Sequence, residues 1–163
     1  MNDLMYEGEN YAELVTQTYA ADIHKLARYI TYFQNKKGSD VATQYDSADL
    51  KQSIKFPVYD STLLSFVKEA EGTTLMDRNY MYKYKQYRIS TAAQEKEAIK
   101  NAKLKDIDLL RGILSLYVIE GRYKGQRWIE ATERGVFYDV LTKLVEFYEF
   151  AKTDHQLPSK DQR

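Results

Sequence analysis

The sequence predicts an all-α single domain, a bundle of five or six helices, and three observations lead there. Only two prolines and seven glycines interrupt 163 residues, so few positions force a break. Apolar residues recur at spacings of three and four, the stripe of an amphipathic helix. No internal repeat and no second core-forming set appears, so residues 1–163 read as one domain. Its core runs over about 10–151, with frayed termini at 1–9 and 152–163.

In chain order, Tyr11, Leu14, Val15, Tyr19, Ile23, Leu26, Ile30 and Phe33 predict one helix over about 10–36. Asn10 stands as N-cap, Glu13 follows three residues later, and Lys36, Lys37 and Gly38 supply the stop. Residues 39–59 hold no sustained period and read mostly as loop, with a short helical turn near 47–53. Pro57 holds Phe56 extended. Asp60 or Ser61 then caps a helix whose inner face is Leu63, Phe66, Val67 and Ala70, closed by Gly72. From Ser90 a short helix rich in Ala, Glu and Lys is expected. Asp106 caps the strongest helix, in which Ile107, Leu110, Ile113, Leu114, Tyr117 and Val118 point inward. It is apolar almost all round, the mark of a central helix. The last helix, about 128–151, turns Ile129, Thr132, Val136, Val140, Leu141, Leu144, Phe147 and Tyr148 to one side.

Composition sets limits on function. Apolar residues are 44%, charged residues 29% and the formal net charge is +0, so this is not a uniformly basic nucleic-acid coat or an acidic mimic of DNA. The absence of cysteine removes disulfides, thiolate zinc sites and cysteine nucleophiles. No apolar run approaches the ~20 residues of a membrane span, and "MNDLMYEGEN" lacks the pattern of a signal peptide. A cytoplasmic location and no membrane partner are expected. Two histidines, His24 and His155, form no zinc spacing, and neither a glycine-rich phosphate loop nor a G-x-S-x-G elbow occurs. No cofactor or metal is implied. Glu13, Glu130 and Glu133 could form a carboxylate site with Arg122, but nothing in their spacing demands it.

Two segments stand out. "NYMYKYKQYRI" (79–89) holds four tyrosines and three bases with no acid. Alternation puts Tyr80, Tyr82 and Tyr84 on one face but fails at Gln86. Helical spacing groups Tyr80, Met81, Tyr84 and Tyr87, and a lone strand would leave its backbone unpaired. The helical reading is the expectation, with 80/81/84/87 inward and Lys83, Lys85 and Arg88 wet. These tyrosines are then either core or a base-stacking platform flanked by cations. Residues 78–105 carry Arg78, Lys83, Lys85, Arg88, Lys96, Lys100, Lys103 and Lys105 against Glu95 and Glu97 alone. Residues 1–24 carry Asp3, Glu7, Glu9, Glu13 and Asp22 and no Lys or Arg. The acidic end could pack on the basic segment, or the basic face could simply be solvated. The second segment, 119–135, places Arg122, Tyr123, Arg127 and the sole tryptophan, Trp128, between the two strongest helices. Trp128 could close the hairpin while Arg122 bonds helix-end carbonyls, Glu130 or Glu133. Alternatively these residues form a partner- or anion-binding corner, since Arg, Tyr and Trp dominate binding hot spots.

The order "LARYITYFQ", "FPVYDSTLLSFVKEA", "LMDRNYMYKY" and "LLRGILSLYVIEGRYKGQRWIEATERGVFYDVLTKL" resembles a family of small bacterial and phage helical proteins known only as a domain of unknown function. The likeness spans about residues 23–146. It departs at the 38–55 loop, which lacks a glycine- and tryptophan-bearing insert. It departs again at Gly121-Arg122-Tyr123, where an acid usually precedes the arginine. The resemblance implies an all-α fold, a helix at the tyrosines and a bacterial, phage or mobile-element origin. It implies no activity. Three functional readings follow. One is a helical protein that binds another protein as regulator or inhibitor through Arg122, Tyr123, Arg127 and Trp128. Another is nucleic-acid binding through Tyr82, Lys83, Lys85, Arg88 and the stripe Lys96, Lys100, Lys103. The last is an enzyme with a Glu/Arg site. A homodimer is compatible with exposed tyrosines.

Overall fold

The computed structural model describes residues 11–38, 42–45 and 56–156. The proposed cap Asn10, the acidic residues before Tyr11 and the turn expected near 47–53 lie outside them. The fold is all-α. Among the described residues eight α-helices occur, two or three more than expected: α1 Ala20–Ala27, α2 Ile30–Lys36, α3 Ser61–Glu71, α4 Tyr80–Gln86, α5 Ala92–Asn101, α6 Ile107–Glu120, α7 Gln126–Glu133 and α8 Val136–Gln156. The surplus comes from two long helices that break.

The helix expected over 10–36 breaks twice without proline or interior glycine. A π-helical stretch occupies Leu14–Tyr19. Beside it the Thr16 hydroxyl donates to the Ala12 carbonyl at 2.9 Å, competing with the backbone ladder. Arg28 and Tyr29 then form a turn in which the Tyr29 N–H reaches back to Leu26 O at 3.0 Å. That tighter turn sets the Arg28 and Tyr29 side chains together on Glu69. The helix expected over about 128–151 starts at Gln126, breaks at Gly135 and continues to Gln156. Gly135 has φ +77°, a conformation that glycine adopts without cost. The Gly38 N–H caps the freed end of α7 at Glu133 O, 2.7 Å.

The stretch read as loop contains a two-stranded antiparallel ribbon, β1 Ala42–Tyr45 and β2 Phe56–Tyr59, with Gln44 opposite Pro57. Pro57 has no N–H to donate, and a two-stranded ribbon tolerates this because each strand has a free edge. Four residues per strand are too few to leave a readable period.

The apolar stripes meet as predicted. Val15, Tyr19, Ile23, Leu26, Phe33, Leu63, Phe66, Ala70, Phe137, Val140 and Leu144 are all buried. Phe33, Phe66 and Phe137 form a triangle with centroids 4.7–5.2 Å apart, the offset and edge geometry that aromatic quadrupoles prefer. α6 is buried continuously from Leu109 to Val118 apart from Arg111, which makes it the central helix expected. α8 shares that place, packing on α1, α2, α5, α6 and α7. The long polar connection from Gly72 to Asn79 is pinned across the bundle. Thr74 donates to Asp22 Oδ2 (2.8 and 2.5 Å), and the Asp77 N–H donates to the buried Ser115 Oγ at 2.8 Å. These bonds fix the point from which α4 departs and seat it on α6.

Candidate binding face

The tyrosine segment is a helix. Seven residues are too few for a helix to stand alone in water, so α4 depends on what its inner side grips. Tyr80, Tyr84 and Tyr87 turn inward and pack on the core. The Tyr84 hydroxyl donates to Glu95 Oε2 at 2.6 Å and the Tyr87 hydroxyl to Asp106 Oδ1 at 2.8 Å. Burial and then the adjacent Glu95 push the Tyr84 phenol far above its ordinary value of 10. Burial and Asp106 act the same way on Tyr87. Tyr80 is raised by burial and by the neighbouring Glu120.

Glu95, only 5% exposed, is the group around which this side is organised, and nothing in its run of Glu and Lys singles it out. It accepts from Tyr84, from Tyr117 at 2.9 Å, and from Arg134 Nη2 at 3.1 Å. Four elements meet on one carboxylate, which is how a buried charge becomes tolerable. The network continues outward. Arg134 lies 4.0 Å from Glu130, Glu130 lies 3.4 Å from Arg127, and Arg127 Nε lies 3.3 Å from Glu120. The last is an ion pair without hydrogen-bond alignment, since Arg127 Nε has no hydrogen-bond acceptor. The tyrosine helix and the Arg127 corner are thus joined through Tyr80, Glu120 and Arg127. The sequence treated them as separate sites.

The outer side of α4 differs from the expectation in two positions. Met81 was placed inward but is 58% exposed; at 100° per residue it falls toward the side of Tyr82 and Lys85. Lys83 was expected to stay wet but is half-buried. Its stem lies against Gly112 of α6 and its ammonium reaches 5.9 Å from the Tyr82 ring, so the apolar chain is covered while the charge stays out. Tyr82 is 64% exposed. Lys85 and Arg88 are exposed. Arg88 ends the helix with φ +56°. The Ile89 N–H bonds to Tyr84 O and the Arg88 N–H to Lys85 O. This is the Schellman pattern, with arginine at the position that favours glycine.

In the corner, Trp128 has the structural role. Its Nε1–H donates to Val118 O at 3.1 Å, its indole lies against Gly121, and Tyr59 meets it edge-on at 5.5 Å. Arg122 pairs with both carboxylate oxygens of Glu71 on α3, not with helix-end carbonyls, Glu130 or Glu133. Arg127 is bound up with Glu120 and Glu130. Arg122 is exposed but paired, whereas Tyr123, at 85% exposure, lies close enough to Tyr80 to act on it electrostatically.

The lysine stripe is not one face of one helix. Lys96 and Lys100 lie on α5, while Lys103 lies past its end. Lys96 faces Asp139, whose carboxyl is pushed up by burial and drawn down by Lys37 and Lys96. These two residues, Glu95, Ile99 and Arg134 line a cleft of about 230 Å³, in which Glu95 is already saturated. The described helices include none long and apolar enough to cross a membrane. No family model, curated protein or solved structure matches the chain.

Proposed function

We propose that this protein works by binding another protein, as a regulator or inhibitor, and that it does so through the outer side of α4 and the adjoining 121–125 turn. One observation carries the reading. Met81, Tyr82 and Tyr123 are exposed large side chains on neighbouring elements that are held rigidly from behind. Rigid, exposed aromatic residues make contact at low entropic cost, and Tyr and Met are enriched where proteins meet. The buried network behind α4 supplies the rigidity through Tyr80, Tyr84 and Tyr87. The mobile-element origin implied by the family resemblance fits a protein of this size acting on a host component.

Nucleic-acid binding is the weaker reading. A stacking platform needs rings free in succession. Three of the four tyrosines of residues 79–89 are instead packed on the core, and two of them are bonded to Glu95 and Asp106. An enzyme using Arg122 and Glu130 finds Arg122 paired with Glu71 and Glu130 paired with Arg127 and Arg134.

A photo-crosslinking amino acid placed at position 82 or 123 tests the reading. A protein adduct from host extract is expected at both positions and not at the control Phe150, exposed on α8. Equal yield at Phe150, or no adduct at 82 and 123, overturns it.

A further inference from the structure

From Glu69 to Glu130 every aspartate and glutamate is engaged within the protein. Glu69 meets Arg28, Glu71 meets Arg122, and Asp77 takes the Asn79 N–H. Glu95 and Asp106 take tyrosines, Glu97 takes Asn101, Asp108 takes Arg111, and Glu120 and Glu130 take Arg127. The cations around α4 are not matched in the same way. Arg78, Lys85, Arg88 and Lys124 are all exposed. None has a side-chain hydrogen bond or an acidic partner within 4.0 Å among the described residues. The chain holds no acid between Asp77 and Glu95, so a protein of zero net charge presents exposed Arg78, Lys85 and Arg88 around Met81 and Tyr82, with Lys124 beside Tyr123.

Arg88 adds an independent observation. It holds a left-handed backbone that non-glycine residues rarely adopt, and among the described residues its side chain makes no hydrogen bond or ion pair. The backbone there is fixed by the helix-ending bonds to Lys85 O and Tyr84 O, so the exposed guanidinium is held in place and left free to meet a partner.

We infer that the partner presents an acidic segment carrying large apolar side chains. The apolar groups would seat on Met81, Tyr82 and Tyr123, and the carboxylates would face Arg78, Lys85, Arg88 and Lys124. This rests on the binding-face reading above and names its partner. Opposite charge at such a rim sets on-rate and excludes wrong partners more than it adds affinity. A second copy of this chain is not the occupant, since two such faces repel. Base stacking has only Tyr82 and Tyr123 to use, and Met81 offers a base no π face.

The test is selection of a random 16-residue peptide library on the intact protein, with fluorescence anisotropy on the enriched peptides. Single-stranded DNA, duplex DNA and RNA 20-mers are titrated alongside. Enriched peptides are expected to be rich in Asp and Glu with Leu, Phe or Trp. Lys85→Glu combined with Arg88→Gly should weaken them about tenfold, with steep loss as salt rises. Tyr82→Ala should weaken them similarly, and Phe150→Ala should leave them unchanged. Arg88→Gly alone also relieves the backbone, so a loss of affinity in a variant at least as stable as the parent cannot come from unfolding. Peptides without acidic excess that still need Tyr82 would overturn the acidic partner and leave the binding face standing. Peptides indifferent to Tyr82, or no enrichment, would overturn both. Oligonucleotide binding at micromolar concentration that the Lys85→Glu change abolishes would replace the acidic protein with a nucleic acid.

Discussion

At the scale of single residues, the tyrosines divide by what their hydroxyls do. Tyr84 gives its proton to a buried carboxylate, and a hydrogen bond to a charged group is worth about 1.5–3 kcal/mol. Tyr84→Phe keeps the ring and leaves Glu95 short of one donor, so a loss of about 2 kcal/mol in urea unfolding is expected. Tyr82→Ala, on the open side of the same helix, should fall within about 0.5 kcal/mol of the parent. Equal costs would mean that α4 does not sit as described. Trp128 gives a second contrast. A Cβ at residue 121 would fall inside its indole, and moving the ring would break its bond to Val118 O and its contact with Tyr59. Gly121→Ala should therefore cost roughly 2–4 kcal/mol, a large penalty for one methyl group in a turn. Its melting temperature, set against that of Lys124→Ala in the same turn, checks this.

At the scale of elements, α4 shows what a sequence can and cannot disclose. Helical spacing placed Tyr80, Tyr84 and Tyr87 on one side because the 3.6-residue period is carried by side chains one can count. The apolar stripes of α3, α6 and α8 were legible for the same reason. Met81 lies about 100° round the helix from Tyr80, at the edge of the inward arc, and it is tertiary packing that leaves it outside. The break at Gly135 was readable in principle, since an interior glycine is a weak stop. The breaks near Thr16 and Arg28–Tyr29 were not, because they depend on Glu69 and on a hydroxyl competing for a carbonyl. Glu95 was missed for a related cause. It sits in a run of Glu and Lys that reads as solvated, and only tertiary packing brings Tyr117 and Arg134 around it. Arg88, likewise, was visible as a charge but not as a left-handed residue. Arg88→Gly is expected to raise stability by about 0.5–1 kcal/mol, the relief of the left-handed cost less the added freedom of the unfolded chain. Thermal unfolding decides this, and a variant less stable than the parent would mean that the Arg88 side chain holds α4 down.

At the scale of the molecule, buried phenols bonded to carboxylates link stability to alkaline pH. Burial is the first cause in Tyr84, Tyr117, Tyr87 and Tyr32. Their partners Glu95, Glu95, Asp106 and Asp60 add to it, and all four phenols are held above the ordinary value of 10. In the unfolded chain these phenols lose their protons near pH 10, while in the native protein they keep them. The native state then binds more protons than the unfolded state, so stability falls as pH rises. The contribution is intact below about pH 10 and is lost progressively as pH climbs toward the folded values. Because Tyr84 and Tyr117 share Glu95 while Tyr87 and Tyr32 hold separate elements, the loss should come as one cooperative unfolding rather than four separate ionisations. The difference in 295 nm absorbance between the parent and Tyr84→Phe, followed from pH 8 to 12, should therefore appear at the pH where helical circular dichroism is lost. In Tyr84→Phe the parent would lose its largest single share of this alkaline sensitivity, and its stability should fall less steeply above pH 10. A difference that appears with the helix intact would mean that the Tyr84 hydroxyl is reached by hydroxide in the folded protein. The buried network behind the binding face would then be looser than the bonds to Glu95 imply.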